Sequence, residues 1–167
     1  MKNAVASKVE NAVICQLTCH ELTVGSIYKL RKYLGSSIYS GINMKSKDEV
    51  AIKLERIRYG EIQMLPYEAQ IAKKFSGEPG FPTVLFHGVE GDFNVMVCSL
   101  LGPNLATLFD FCDKKFSVAN VYQIGVQLVK RLQVIHSKNM VHRNVKPENI
   151  LTGIGAKSQT FYLIDFG

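Results

Sequence analysis

Between residues 28 and 98, short apolar runs alternate with clusters of turn-forming residues, a pattern typical of antiparallel strands. Gly35-Ser36-Ser37 and the polar segment 45–48 separate the first three runs, which predicts a three-stranded meander. Two further runs are joined by the turn segment 88–92. The predicted strands are Tyr28 to Leu34, Ile38 to Met44, Val50 to Leu54, Thr83 to His87 and Phe93 to Cys98.

A helix is predicted between these strands, over residues 66–75. Pro66 suits the first helical turn, where its missing N–H costs nothing, and Gly77 follows the last position, where it can end the helix. We therefore expect a helix of about three turns that carries Glu68.

The pattern changes after Gly102-Pro103, where helical periodicity replaces the strand pattern. A short helix is predicted over Leu105 to Phe111, and Ser117 is a suitable N-cap for a long one. Apolar side chains recur every three or four positions along the long helix, so one of its faces is strongly apolar. They are Val118, Val121, Ile124, Leu128, Leu132 and Ile135. Short strands are expected at 150–151 and 161–164.

A sheet followed by helices predicts an α+β fold with two lobes, and not an alternating parallel sheet. We divide the chain into an N-terminal extension of unknown structure over residues 1–27, a small lobe over 28–99, and a hinge with a partial large lobe over 100–167. On this division the large lobe contains its first helices only.

The composition indicates a folded chain but excludes few classes of function. The chain has 167 residues, of which 47% are hydrophobic, enough for a core. Its net charge of +6 suits phosphate-bearing or acidic partners, although scattered solvated lysines are the commoner source of such a charge. The sequence has no basic patch interleaved with aromatic residues, so it does not favour nucleic acid as a partner. No run reaches the roughly 18 apolar residues that a membrane span needs.

The four cysteines show no paired spacing, and no signal peptide precedes them, so we expect a reducing compartment, cytoplasmic or nuclear. They are Cys15, Cys19, Cys98 and Cys112. Cys15, Cys19 and His20 could supply half of a metal site, but no second ligand pair follows downstream, so ordinary small side chains are the better interpretation.

Four segments that are individually weak signals form a specific set through their order along the chain. Val50-Ala51-Ile52-Lys53 places a lysine on the third predicted strand, and Glu68 lies on the next helix. The polar loop 142–149, with the sequence HRNVKPEN, follows the long helix, and Asp165-Phe166-Gly167 ends the sequence. This order and spacing is the signature set of protein kinases.

From about Tyr28 to Gly167 the sequence resembles the casein kinase 1 family of serine/threonine kinases. The stretches that resemble this family in particular are Asp92-Phe93-Asn94-Val95-Met96-Val97, Leu100-Leu101-Gly102-Pro103 and Ile135-His136-Ser137-Lys138-Asn139. The resemblance implies a protein-kinase-like fold, ATP and Mg²⁺ as cofactors, and transfer of the γ-phosphoryl group to protein hydroxyls. It also implies protein substrates with acidic or phosphorylated segments, with which the net charge of +6 agrees.

The resemblance assigns the phosphate and metal contacts to individual residues. Lys53 would contact the α and β phosphates of ATP and pair with Glu68. Asn149 and Asp165 would offer oxygen ligands to Mg²⁺, a hard cation that prefers carboxylates together with phosphate oxygens. Lys146 would face the transferring phosphate and offset its developing negative charge.

The same resemblance assigns the adenine contacts and the supporting residues. The hinge, whose backbone groups would contact the adenine, matches Ser99, Leu100 and Leu101. Cys98 matches the residue that would limit access to the pocket behind the adenine. Gly35 belongs to the turn that would cover the phosphates. His142 and Phe166 match packing residues of the catalytic region.

The first departure from the family pattern is Asn144, which stands where the family has the aspartate that accepts the substrate hydroxyl proton. A neutral amide can orient a hydroxyl group but is a negligible base. General-base catalysis typically contributes a factor of about 10² to 10⁴ in rate. Because phosphoryl transfer relies mainly on positioning and electrostatics, residual activity is conceivable and efficient turnover is not expected.

The second departure is the shortened glycine-rich loop. The family shows GxGxxG before its second strand, whereas this chain has only Gly35-Ser36-Ser37 before Ile38. The hairpin is therefore about four residues short, which is about two residues on each of its two strands. At the rise per residue of a strand, this shortens the reach of the hairpin by about 6 to 7 Å. We expect the backbone N–H groups of this turn not to reach the β and γ phosphates, so that ATP binding is weak.

The third departure is that the sequence stops at Gly167, before an activation segment and a substrate platform. The apolar face over residues 118–135 is then expected to lack a partner. Five aliphatic side chains left unburied would forgo about 7 to 15 kcal/mol. That is comparable to the whole stability of a domain. We therefore expect a second lobe that is loose, aggregation-prone or dependent on another chain.

Three hypotheses stay open at this point. The first is a casein kinase 1-like serine/threonine kinase domain that is catalytically impaired, with Asn144 and Lys146 in the catalytic positions. The second is a truncated pseudokinase that acts as a binding module. The third is an incomplete gene product, which the sequence cannot distinguish from the second.

Overall fold

A computed structural model of the chain describes residues 22–166. Most of the predicted extension 1–27, together with Cys15, Cys19, His20 and Gly167, lies outside the described residues. The chain divides into two compact units. The first contains residues up to Tyr67 together with Val84–Ser99, and the second contains Glu68–Thr83 and the chain from Leu100 onward. No helix within residues 22–166 is long and apolar enough to cross a bilayer.

The first unit is built on a six-stranded antiparallel sheet with the order β1-β2-β3-β4-β6-β5. The strands are β1 Thr23–Val24, β2 Tyr28–Gly35, β3 Ile38–Asn43, β4 Glu49–Arg56, β5 Val84–Glu90 and β6 Phe93–Ser99. The predicted meander is present as β2, β3 and β4, and the predicted hairpin of β5 and β6 joins it through the pairing of β4 with β6. The short strand β1, which the pattern did not indicate, pairs with the start of β2.

One face of this sheet carries the core of the first unit. Successive side chains of a strand point to opposite faces, so alternate positions are buried together. Val50 and Ile52 of β4 are fully buried, and they pack with Leu30, Tyr39 and Val97 from neighbouring strands. The apolar alternation in the sequence therefore corresponds to a real buried face.

Helix α1 (Leu65–Lys74) starts one residue before the predicted position. Its start is fixed by Glu55, whose carboxylate accepts the backbone N–H groups of Met64 at 2.9 Å and Leu65 at 3.1 Å. These bonds satisfy N–H groups that have no partner within the helix. The buried Asn94 donates to the same carboxylate at 3.0 Å. Gly77 follows the helix with φ of +92°, a conformation that glycine adopts without steric cost.

The second unit contains two further helices and a small sheet. They are α2 Leu105–Phe111, α3 Val118–Ser137, β7 Ile150–Thr152 and β8 Phe161–Leu163, with β7 and β8 antiparallel. The predicted N-cap is confirmed, because the Ser117 hydroxyl accepts the backbone N–H of Asn120 at 3.1 Å. Sheet-rich and helix-rich units together confirm the predicted α+β class.

The expectation that the apolar face of α3 lacks a partner is wrong for the helix beyond its first turn. Ile135 is fully buried, and three more side chains of that face are partly buried in the core of the second unit. They are Ile124, Leu128 and Leu132. The expectation overlooked Phe75, Phe81, Ile150 and Leu163, which supply this core from other segments of the same unit. Only the first turn of the face is open, with Val118 87% and Val121 56% exposed.

Polar side chains of α3 form hydrogen bonds to the backbone of β8. The Gln127 side-chain oxygen accepts the N–H of Phe161 at 3.0 Å, and the buried Arg131 donates to the Phe161 carbonyl at 3.4 Å. Burial of this guanidinium lowers the pKa of Arg131 from its usual value, although Arg131 stays protonated at neutral pH. On this same edge of β8, opposite the edge that pairs with β7, the N–H of Leu163 donates to the Gly80 carbonyl at 3.0 Å. The strand that leads to Asp165 is thus held along both edges.

Candidate functional site

The loop 142–149 is bonded to the segment 164–166 at several points in the second unit. Nε2 of the buried His142 lies 3.0 Å from the Ile164 carbonyl, and the N–H of Ile164 donates to the Asn149 carbonyl at 3.0 Å. The backbone N–H of Asn144 donates to Nδ1 of His142 at 3.3 Å. Two chain segments that are far apart in sequence are therefore brought into fixed register.

These contacts determine the state of the His142 imidazole. Nδ1 accepts a hydrogen bond, so the proton must lie on Nε2, which donates to the Ile164 carbonyl. A second proton on Nδ1 would face the N–H of Asn144 and break that bond. Burial lowers the pKa of His142 from its usual value, and the bond to Ile164 and the charge of Asp165 oppose this only in part. His142 is thus a neutral, structural histidine.

We expect acid to destabilise the second unit through His142. Its pKa is lowered in the folded chain, whereas the unfolded chain has a value of about 6.5. The unfolded state therefore binds more protons below about pH 6.5, and stability falls as the pH drops through this range. Thermal unfolding measured between about pH 7 and pH 5 should show the loss. His142→Gln should flatten the pH dependence, and the exposed control His87→Gln should leave it unchanged; an equal slope in all three proteins would contradict the assignment.

The carboxylate of Asp165 receives two side-chain amides. Nδ2 of Asn144 donates to Asp165 Oδ2 at 2.9 Å, and Nδ2 of Asn149 donates to the same oxygen at 3.3 Å. Nδ2 of Asn149 also donates to the Asn144 backbone carbonyl at 2.9 Å. The structure thus brings together three residues that the sequence predicted for catalysis and metal binding. It also shows a role that the sequence did not indicate, since Asn144 is a hydrogen-bond donor to the predicted metal ligand.

The oxygen atoms of the Asp165 carboxylate and the Asn149 amide are of the chemical type that Mg²⁺ binds. One carboxylate and one amide oxygen, completed by water and phosphate oxygens, are ligands that this cation accepts. Within residues 22–166, no group of three or more His, Cys, Asp or Glu side chains is arranged to hold a metal ion by protein ligands alone. A divalent cation here would therefore depend on Asp165, Asn149 and a phosphate-bearing ligand.

Phe166 anchors the other side of this segment in the core of the second unit. Its ring stacks on Phe75 with centroids 4.9 Å apart and planes 8° from parallel, and its centroid lies 5.0 Å from that of His142. Phe81 also stacks on Phe75 at 4.9 Å, and its centroid lies 6.3 Å from that of Phe166. Aromatic pairs of this kind contribute about 0.5 to 1.5 kcal/mol beyond their buried area. The predicted packing roles of His142 and Phe166 agree with these contacts.

In the first unit, Gly35 and Lys53 lie on one row of the sheet. Gly35 is opposite Ile38 of β3, and Ile38 is opposite Lys53 of β4. Ser36 and Ser37 form the turn with φ of +49° and +60°, and the Ser37 carbonyl accepts the N–H of Leu54 at 3.0 Å. The hairpin therefore turns back at the level of Lys53 and extends only two residues beyond this row. Its observed length agrees with the expectation of a short phosphate-covering turn.

The remaining predicted site residues lie in both units. Ser99 ends β6 opposite Val50 in the first unit. Glu68 is half-buried in the first turn of α1, Leu101 precedes α2, and Lys146 is exposed at the start of the 3₁₀ turn Pro147–Asn149, all in the second unit. The predicted pairing of Lys53 with Glu68 joins residues of different units and stays a prediction.

Glu55 was missed at the sequence level, although it fixes the start of the helix that carries Glu68. Its helical partners lie nine and ten residues away, and Asn94 lies 39 residues away. A side chain that caps a helix from a separate strand has no fixed spacing from it. The conventional capping pattern, with the cap directly before the helix, could not have found this residue.

A comparison with models of protein families shows which family has this arrangement of residues. The family model described as protein kinase domain matches residues 33–167. The chain belongs to the protein kinase family. In this kinase domain, the match covers the sheet from within β2, α1, and the whole of the second unit that the structure describes. Protein kinases in general use ATP with Mg²⁺ and act on protein substrates.

Proposed function

We propose that this chain is a casein kinase 1-like serine/threonine kinase domain that binds ATP weakly and transfers phosphate poorly. The single observation that carries the proposal is the bond from the Asn144 amide to Asp165 at 2.9 Å. The position of the catalytic base is thus filled by a group that donates a proton in a hydrogen bond and has no basic lone pair available on that nitrogen.

The catalytic deficit follows from what Asn144 can do to a substrate hydroxyl. Its side-chain oxygen can orient the hydroxyl but cannot take its proton at neutral pH. Loss of a general base costs a factor of about 10² to 10⁴ in rate. Lys146, which is exposed, can still offset charge on the transferring group, but without a base we expect transfer to stay close to the background of a chain that lacks Lys53.

The weak binding of ATP follows from the hairpin of β2 and β3. Kinases cover the phosphates with the backbone of this turn. Here the turn has two residues, and the Ser37 carbonyl is already bonded to Leu54. Lys53, supported by the sheet on both sides, is left as the main phosphate contact of the first unit.

The subfamily and the substrate class rest on sequence resemblance. The segments 92–97, 100–103 and 135–139 resemble the casein kinase 1 family, and the net charge of +6 suits acidic or phosphorylated protein segments. A second candidate function is a pseudokinase that acts by binding proteins. The two-residue turn and Asn144 favour it, since both reduce catalysis and leave the fold unchanged.

Nucleotide binding is tested by thermal unfolding with and without ATP. A ligand present at ten times its Kd stabilises the folded form by about 1.4 kcal/mol, which corresponds to a rise in Tm of about 3 to 6 °C for a chain of this size. We expect such a rise at millimolar ATP and its loss in Lys53→Met. The matched control is Lys45→Met, an exposed lysine of the same unit, which should keep the rise. A rise of the same size in Lys53→Met, or no rise in the unmodified chain, would contradict the proposal.

A further inference from the structure

The side chain of Lys138 caps the C-terminal end of α1 from a different helix. Its Nζ donates to the carbonyl of Lys74, the last residue of α1, at 2.8 Å. The carbonyls in the last turn of a helix have no partner within the helix, and a lysine ammonium can bond to them and interact favourably with the helix dipole. Lys138 directly follows α3, 64 positions further along the chain, so this bond joins α1 to α3 within the second unit.

The same ammonium makes two further contacts just beyond the end of α1. Nζ of Lys138 lies 3.1 Å from Glu78 Oε1 and 5.1 Å from the centroid of the Phe75 ring. The ion pair alone would be weak, since the two side chains are 33% and 39% exposed. The bond to a carbonyl and the position over an aromatic ring add to it. The ammonium is therefore held by a carbonyl, a carboxylate and a ring together.

The backbone at Lys138 is fixed as well, because α3 ends in a Schellman motif. The N–H of Met140 donates to the Ile135 carbonyl at 3.3 Å. The N–H of Asn139, which has φ of +56°, donates to the His136 carbonyl at 2.9 Å. This pair of bonds is the one that ends a helix on a residue in the left-handed conformation. Since Ile135 is fully buried in the core of the second unit, the lysine side chain starts from a rigid point.

The ring that Lys138 contacts belongs to the aromatic stack that holds Phe166. Phe75 is fully buried, and its ring stacks on that of Phe166 with centroids 4.9 Å apart. Phe166 directly follows Asp165 in the chain. Because protein interiors are close-packed, a shift of the Phe75 ring displaces the side chains that pack on it. The position of Phe75 therefore affects the backbone at Asp165.

We propose that Lys138 is a positioning residue for Asp165. Its ammonium holds the end of α1 and the Phe75 ring, and the ring holds Phe166 and the segment 164–166 against the loop 142–149. Lys138 acts through Phe75 and Phe166. This role is independent of the proposed nucleotide binding, because it concerns the arrangement of side chains within the second unit.

The test measures hydrogen exchange of two backbone N–H groups by NMR in the whole chain without nucleotide. The N–H of Ile164, which donates to the Asn149 carbonyl, reports on the segment at Asp165. The N–H of Phe161, which donates to the Gln127 side chain, reports on the start of β8 and is the internal reference. Local opening accelerates one N–H selectively, whereas a loss of global stability accelerates both.

We expect Lys138→Met to accelerate exchange at Ile164 by at least about fivefold relative to Phe161. Lys138→Arg keeps the charge and can lie on the ring face, so its exchange should stay within about twofold of the unmodified chain. Glu78→Gln removes only the ion pair and should give a smaller change of the same kind. The matched control is Lys130→Met, an exposed lysine of α3, which should change neither N–H.

Three results would overturn the proposal. Equal acceleration at Ile164 and Phe161 in Lys138→Met would show a general loss of stability and no positioning role. Unchanged exchange at Ile164 in Lys138→Met would show that the stack holds Asp165 without the lysine. Exchange in Lys138→Arg as fast as in Lys138→Met would show that the charge at this position is not what holds the segment.

Discussion

Replacing Gly80 with alanine is expected to lower the free energy of unfolding of the second unit by about 2 to 5 kcal/mol. Gly80 is buried with φ of +81°, where a residue with a Cβ atom costs about 1 to 2 kcal/mol. A methyl group would also overlap the guanidinium and Cδ of Arg131. Arg131 is buried and bonded to Phe161, so it cannot move aside without losing those contacts. Overpacking of this kind costs about 1 to 3 kcal/mol.

The matched control for this change is Gly77→Ala. Gly77 has φ of +92° but no atom within 4 Å of the position that a Cβ would occupy. It therefore carries the backbone cost without the overlap, and we expect a loss of about 1 to 2 kcal/mol. Thermal unfolding should show a drop in Tm of about 4 to 20 °C for Gly80→Ala and a clearly smaller one for Gly77→Ala. Equal effects of the two substitutions would show that Arg131 does not constrain Gly80.

This position matters for function because the Gly80 carbonyl accepts the N–H of Leu163, two residues before Asp165. A displaced Gly80 would disturb the strand β8 that leads to Asp165. We therefore expect Gly80→Ala to weaken the response to ATP even at temperatures where the chain stays folded. Gly77→Ala should retain that response.

The sequence predicted the local elements well because each of them depends on short-range patterns. The Ser117 cap, the helix that ends before Gly77, and the strands with alternating burial in the first unit follow from spacing within a few residues. The additional strand β1 escaped prediction, since it has two residues and forms only by pairing with β2. Two residues are too few to show a period.

The contacts that define the site depend on long-range geometry, and the sequence could not supply them. The pairs Asn144 with Asp165 and Glu55 with Asn94 are separated by 21 and 39 residues. Family motifs indicated which residues belong to the site, but not that the Asn144 amide would donate to Asp165. The burial of α3 beyond its first turn was missed for the same reason, because its partners Phe75 and Phe81 lie far from it in sequence.

The largest functional effect that we expect is the deficit in phosphate transfer. Active protein kinases turn over at about 1 to 100 per second. Without a general base at residue 144 the rate should fall by a factor of about 10² to 10⁴. We also expect the short hairpin of β2 and β3 to lower the fraction of the chain that has ATP bound. We therefore expect Asn144→Asp alone not to bring the rate into the range of active kinases, because it restores the base and leaves the two-residue turn.

The most direct test of the account is transfer of labelled γ-phosphate from Mg-ATP to an acidic, casein-type protein substrate by the purified chain. Lys53→Met sets the background, and Lys45→Met is the control for loss of a lysine in the same unit. The account predicts that transfer by the unmodified chain stays within about threefold of the Lys53→Met background, as expected when the general base is absent. Transfer more than about tenfold above that background, unchanged in Lys45→Met, would contradict it and show that this kinase domain is catalytically competent with an amide at residue 144.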